Sequence, residues 1–157
     1  MLGKTLLSAI RALLLLSRQD RAECWSPRRL AETLGESPTY LAKVVRHLVR
    51  HGMLEAEKGV KGGVRLLQAP ENITLLAVVE ACYGTIVGDY CKSARPCDDV
   101  CNFHRAAVEL HEAITGVLGR WTIADLLDKP QGTDGLIGGI ACLMTRGLHP
   151  GQIKDRT

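Results

Sequence analysis

The 157-residue chain has no hydrophobic run long enough to cross a bilayer. Its most apolar N-terminal stretch, LLSAIRALLLL at positions 6–16, is about half the ~20 residues that a spanning helix needs, and Arg11 interrupts it. The residues that follow, RQDRAEC, hold no small-residue cleavage site, so neither a signal peptide nor a lipoprotein leader is expected. The expectation is a cytoplasmic chain with no membrane partner. A strong charge of one sign is also missing, the net value being +3. Nor does any Cys–His pair come with an orienting third group or an oxyanion-type loop, which argues against an enzyme.

Divided, the charge becomes informative. Residues 1–68 carry twelve Lys and Arg against six Asp and Glu, whereas residues 69–157 carry eight against eleven. A basic N-terminal half suits a polyanionic partner, although an uneven solvated surface would have the same signature. Cysteine is well represented, at positions 24, 82, 91, 97, 101 and 142. In a reducing compartment such a set argues for metal or redox chemistry over a disulfide framework.

Periodicity over residues 1–70 predicts three helices and a hairpin, a winged helix-turn-helix. The first helix runs through TLLSAIRALLLLSRQ, with Leu6, Ile10, Leu13 and Leu14 on one face. In SPRRLAETLG, Ser26 caps a short second helix, Pro27 opens it and Gly35 closes it. Ser37 and Pro38 start a third helix almost at once, with Leu41, Val44, Val45 and Leu48 inward. Only GES separates the two helices, which is helix-turn-helix spacing. Leu54–Ala56 and Val64–Leu67 then pair as strands around the basic, glycine-rich turn KGVKGG. Ser37, Thr39, Tyr40 and Lys43 fall in the part of the third helix that approaches base edges in a major groove. Ser26 and Arg28 at the second helix start, and Lys58, Lys61 and Arg65 on the wing, complete the candidate contacts to double-stranded DNA. A winged helix that makes only protein contacts would share this pattern.

Residues 71–129 form the second expected region. NITLLAVVEACYG at 72–84 reads as a buried helix with Leu75, Val78, Val79 and Cys82 inward, the cysteine packing as a small hydrophobe. A longer helix is expected from about Asp98. On it Phe103, Ala107, Leu110, Ile114, Val117 and Trp121 are spaced 4, 3, 4, 3 and 4, a heptad seam suited to a two-fold homodimer. Such a dimer would present two reading heads to a pseudo-palindromic operator. TIADLLDK closes the region, and the glycine-rich tail from Pro130 to Thr157 is expected to be loosely ordered.

Between these two helices lies YCKSARPCDDVCNFH, in which Cys91, Cys97, Cys101 and His104 follow a C-x5-C-x3-C-x2-H spacing. Cys101 and His104 are three apart and share a helix face, and the N-terminal end of that helix favours thiolates. Three thiolates and an imidazole suit a tetrahedral zinc or an iron–sulfur cluster. A metal-free thiol switch, ordinary reduced cysteines and a Cys–His nucleophile are the alternatives.

Three blocks occurring in order, SPTYLAKVVRHLVRHGMLEAEKGVKGGVRL, ITLLAVVEA and the three cysteines ahead of a long helix, carry a resemblance over residues 1–128. The chain resembles the Rrf-type bacterial winged-helix regulators, the family that includes IscR and NsrR. That resemblance implies a homodimeric transcription factor, usually a repressor, whose DNA affinity depends on a [2Fe-2S] or [4Fe-4S] cluster and which senses iron–sulfur, redox or nitric oxide status. Cys91, Cys97 and Cys101 match the family's thiolate ligands, and His104 matches the imidazole of the IscR-like branch. Ser8 occupies the region where the NsrR-like branch supplies a carboxylate from the partner subunit; serine is a poor substitute for it, so the resemblance favours [2Fe-2S] with Cys3His ligation. Two departures stand out: the second cysteine gap is shorter than usual in the family, and Lys58 stands where arginine is commoner. Lysine is a point charge without arginine's bidentate fork.

Overall fold

A computed structural model describes residues 3–59, 62–86 and 102–127, together with the backbone of 136–137 and 140–141. Helix α1 spans Lys4–Ser17, α2 Pro27–Leu34 and α3 Pro38–Arg50. Strands β1 (Leu54–Glu57) and β2 (Gly63–Leu66) form an antiparallel hairpin, and a 3-10 turn at Pro70–Asn72 leads into α4 (Leu75–Tyr83). Helix α5 (Asn102–Arg120) and α6 (Ile123–Leu127) follow. Within the expected tail, Leu136–Ile137 and Ile140–Ala141 pair as short antiparallel strands β3 and β4.

Helix α1 is apolar on nearly every side, which suits only a helix packed all round. Leu6, Ala9, Ile10 and Leu13 to Leu16 are all buried, and α1 touches α2, α3, α4, α6 and β2. Around it one core takes in Leu30, Leu41, Val44, Leu48, Ile73, Val78, Val79 and Ile123, so residues on both sides of position 70 share it.

Local signals explain the reading head. Ser26 accepts a hydrogen bond from the Arg29 N–H at 3.1 Å, capping α2. Gly35 takes the left-handed conformation at φ 68°, and the Glu36 N–H reaches back to the Ala31 carbonyl at 2.8 Å, ending α2. Ser37 is extended at the N-cap of α3, yet its hydroxyl makes no capping bond.

The hairpin pairs Leu54 with Leu66, Glu55 with Arg65, Ala56 with Val64 and Glu57 with Gly63. The chain at Trp25 adds to its outer edge: the Trp25 N–H donates to the Val64 carbonyl at 2.9 Å, and the Val64 N–H returns to Trp25 at 2.8 Å. This leaves no room for a side chain at position 63. A Cβ on Gly63 would sit 2.6 Å from the Trp25 carbonyl carbon and oxygen and 2.9 Å from the Ser26 nitrogen. The double glycine therefore has a steric function that its sequence suggests only as turn flexibility. It lets the wing lie directly against the start of α2.

Candidate functional site

The outward face of α3 carries Thr39, Lys43, Arg46 and Arg50, all exposed and spaced 4, 3 and 4. The three cations make no ion pair among the described residues, so their charge faces solvent. Thr39 and Lys43 are expected from the sequence. Arg46 and Arg50 are not among the expected contacts, although continuing the same helical spacing past Lys43 leads to them. Ser37 is exposed at the head of this face.

Tyr40 lies in the same turn but faces the other way. Its ring is half-buried against α1, its hydroxyl donates to Thr5 Oγ1 at 3.3 Å, and Lys4 Nζ stands 4.8 Å from the ring centroid. Its place in the structure is at the joint between α3 and α1 rather than among the open side chains of the reading face.

The expected contacts outside α3 are divided. Ser26 is exposed while capping α2, and Arg28 is exposed beside Glu32, one turn on, at 3.0 Å. Lys58 is exposed and unpaired among the described residues, whereas Lys61 lies outside them. Arg65 is held within the wing itself, its Nε 2.6 Å from Glu55 and a terminal nitrogen 2.8 Å from Glu57. The Glu55 hydrogen bond pushes the guanidinium pKa up, and the two carboxylates offset its charge. Arg65 acts first as a strut between the two strands.

Cys91, Cys97 and Cys101 lie outside the described residues, in the stretch that joins α4 to α5. His104 sits in the first turn of α5, half-buried, and its Nδ1 is buried without a hydrogen-bond partner. His111, two turns further on, shares that condition. An unpartnered ring nitrogen three residues after Cys101 in the sequence fits a nitrogen donor for iron or zinc. Among the described residues, no group of three or more His, Cys, Asp or Glu side chains could hold a metal ion. The other thiols in view are poor candidates. Burial, with a hydrogen bond to Glu57, raises the pKa of Cys24, and burial raises that of Cys82. Ser8 is buried in α1 with its hydroxyl on Glu36, at 2.7 and 2.8 Å from the two carboxylate oxygens.

Helix α5 has no buried residue. Its seam is open, with exposure running from 47% at Val117 to 70% at Phe103; Leu110 and Trp121 fall between, and Ala107 and Ile114 are half-covered. The far end of the helix is tied down by backbone. The Leu75 N–H donates to the Trp121 carbonyl at 2.8 Å and the Ile123 N–H to the Ile73 carbonyl at 2.9 Å. The C-terminal end of α5 is thus fastened to the body that carries α3, while its N-terminal end adjoins the cysteine segment. Among the described residues, no helix is long and apolar enough to cross a membrane.

Comparison with known proteins agrees with this arrangement. The family model Rrf2, described as an iron-dependent transcriptional regulator, matches residues 2–129. The HTH-type transcriptional regulator NsrR of Halalkalibacterium halodurans is 32% identical over 136 residues, covering 82% of this chain and 91% of its own. The HTH-type transcriptional repressor NsrR of Streptomyces coelicolor is 29% identical over 127 residues, covering 79% and 86%. The solved structure of CymR, the global cysteine regulator of B. subtilis, superposes with a TM-score of 0.64 at 20% identity, over 81% of this chain and 95% of that one. T. potens IscR does so with a TM-score of 0.63 at 20% identity, over 84% and 93%. The structural likeness supports the winged-helix fold, and the relatives are named as transcriptional regulators, not enzymes.

Proposed function

The chain belongs to the Rrf2 family of transcriptional regulators, and on that premise we propose that it is a homodimeric repressor whose hold on DNA is set by an iron–sulfur cluster. The observation that carries the reading is the position of the cysteine segment. It joins α4, packed in the core of the DNA-reading body, to α5, whose apolar seam is open to a second copy. A group held there would be linked through the chain to both α4 and α5.

Cys91, Cys97 and Cys101 would hold the cluster, with His104 as the fourth donor. The buried, unpartnered Nδ1 of His104 supports that assignment, and so does Ser8, whose hydroxyl is already engaged by Glu36. The match of His104 to the IscR-like branch is what favours [2Fe-2S] over [4Fe-4S]. The bound cluster would supply thiolate-ligated iron that is chemically labile to oxygen and nitric oxide. The protein's part is to hold two states of the α4–α5 connection and to convert them into two spacings of the recognition helices in the dimer. A hundredfold change in affinity needs about 2.7 kcal/mol of coupling, within the usual allosteric range.

DNA contact falls to Lys43, Arg46 and Arg50 along α3, with Thr39 and Ser37 nearest the bases and Lys58 on the wing. Two such faces in a dimer suit a pseudo-palindromic operator.

Anaerobic purification tests the cofactor. The proposal expects a brown protein with iron and acid-labile sulfide, and a changed spectrum in His104→Ala. A colourless protein with stoichiometric zinc would replace it with a zinc-controlled regulator, and a metal-free protein with a thiol-controlled one.

A further inference from the structure

The apolar pattern of α1 is broken along one stripe, where the exposed Lys4, the buried Ser8 and the half-buried Arg11 recur at spacings of four and three. Each of these residues, together with Thr5, meets the first turn of the recognition helix or the turn before it. Ser8, 1% exposed, has its hydroxyl 2.7 and 2.8 Å from the two carboxylate oxygens of Glu36. Arg11 places one terminal nitrogen 3.3 Å from Glu36 and the other 3.0 Å from the Leu34 carbonyl at the end of α2. Thr5 and Lys4 both meet Tyr40, through its hydroxyl and its ring respectively.

Glu36 belongs to the two-helix turn. Its N–H closes α2 on Ala31, the next residue is the N-cap of α3, and its side chain is only 8% exposed. A carboxylate so withdrawn from water is costly unless charged and hydrogen-bonding partners meet it. Among the described residues, Ser8 and Arg11 of α1 supply them. Around these polar contacts α1 and the reading head share an apolar core that includes Leu30, Leu34, Leu41 and Val45. Apolar contact is non-directional and tolerates small rotations. A buried, hydrogen-bonded charge pair does not, because a slight turn of α3 strands the carboxylate. Glu36, in the turn just before α3, is one such point, and four residues on the half-buried Tyr40 adds a neutral hydroxyl contact to Thr5 from the first turn of α3.

We propose that Ser8, Arg11 and Glu36 are positioning residues for DNA recognition: a polar latch that sets the angle at which α3 presents Ser37 and Thr39, without touching DNA. The latch rests on the DNA-binding reading above and adds to it a source of sequence discrimination. Phosphate contacts tolerate a tilt of the helix, because lysine and arginine side chains are long. Base contacts do not.

The test uses the full chain. The wild-type protein first enriches a duplex from a randomised library. Affinities are then measured for that duplex and for a shuffled one of the same composition, at a temperature where circular dichroism shows every variant folded. Ser8→Ala and Glu36→Gln are expected to lose about tenfold or more of the discrimination between the two duplexes. Their affinity for the shuffled duplex and its salt dependence should match wild type, because Lys43, Arg46 and Arg50 are intact. If Glu36→Gln does not fold, Ser8→Ala carries the test alone, since it removes a hydroxyl and leaves the Arg11–Glu36 pair. A folded Ser8→Ala protein with wild-type discrimination would overturn the latch, as would equal losses on both duplexes. A wild-type protein that enriches no duplex would instead overturn the DNA-binding reading itself.

Discussion

Ser8 of α1 and Glu36 of the helix-turn-helix stand 28 residues apart in sequence and meet through a hydroxyl 2.7 Å from the nearer carboxylate oxygen. Arg11 joins them, which accounts for the single charge interrupting an otherwise apolar run. A residue that looks like a flaw in a hydrophobic segment is the counter-ion of a buried carboxylate.

Lys43, Arg46 and Arg50 should each contribute to the electrostatic part of DNA binding. Replacing any one with alanine is expected to weaken binding to all duplexes alike. The slope of log affinity against log salt should fall in magnitude by about 0.9 for each phosphate that is no longer neutralised. Arg65→Ala should change that slope less, because Glu55 and Glu57 already offset its charge. Fluorescence anisotropy over a salt series checks both expectations.

Gly63→Ala should destabilise the fold by about 1–3 kcal/mol, the usual cost of forcing atoms into a packed site. The added methyl meets the Trp25–Ser26 backbone, which cannot move without disturbing the cap of α2. Thermal melting followed by circular dichroism measures the loss. An unchanged midpoint would show that the wing does not press on α2.

A charge on the open seam of α5 should separate two copies without unfolding either. Leu110 and Val117 are 61% and 47% exposed, so Leu110→Glu and Val117→Glu leave the core untouched. Sedimentation at micromolar concentration should show dimers for wild type and monomers for the variants. A monomeric wild-type protein would contradict the seam.

Much of the fold is visible in the sequence because its signals are local. Ser26-Pro27, Gly35 and Ser37-Pro38 mark the helix-turn-helix, and the spacing from Phe103 to Trp121 marks the open stripe on α5. The features that escape depend on distant partners. Nothing near Arg65 reveals that hairpin register sets Glu55 opposite it, with Glu57 two residues along. Nothing near Tyr40 shows that α1 draws its ring inward. The direct contact between Gly63 and Trp25 joins residues 38 positions apart and has no periodic trace. Arg46 and Arg50 are within reach of the sequence, because the spacing that marks Thr39 and Lys43 continues for two more steps along α3. The cysteine segment is legible by spacing and resemblance alone.

Thiol reactivity offers an independent check on which cysteines are chemically active. The raised pKa values of Cys24 and Cys82 keep both thiols protonated and slow to alkylate near neutral pH. In protein freed of metal, iodoacetamide should label Cys91, Cys97 and Cys101 first, as read by mass spectrometry of the peptides. Faster labelling of Cys24 or Cys82 would move the reactive centre away from the α4–α5 connection.

The central claim is that a group bound by the cysteine segment controls the DNA-reading face. The most direct measurement takes one anaerobic preparation, divides it, removes the iron from half, and compares the affinity of the two halves for the same enriched duplex. The account predicts an iron- and sulfide-containing half and a metal-free half, both dimeric, whose affinities differ by about tenfold or more, within the range of allosteric coupling. Equal affinities, or a preparation that contains no iron, would contradict it.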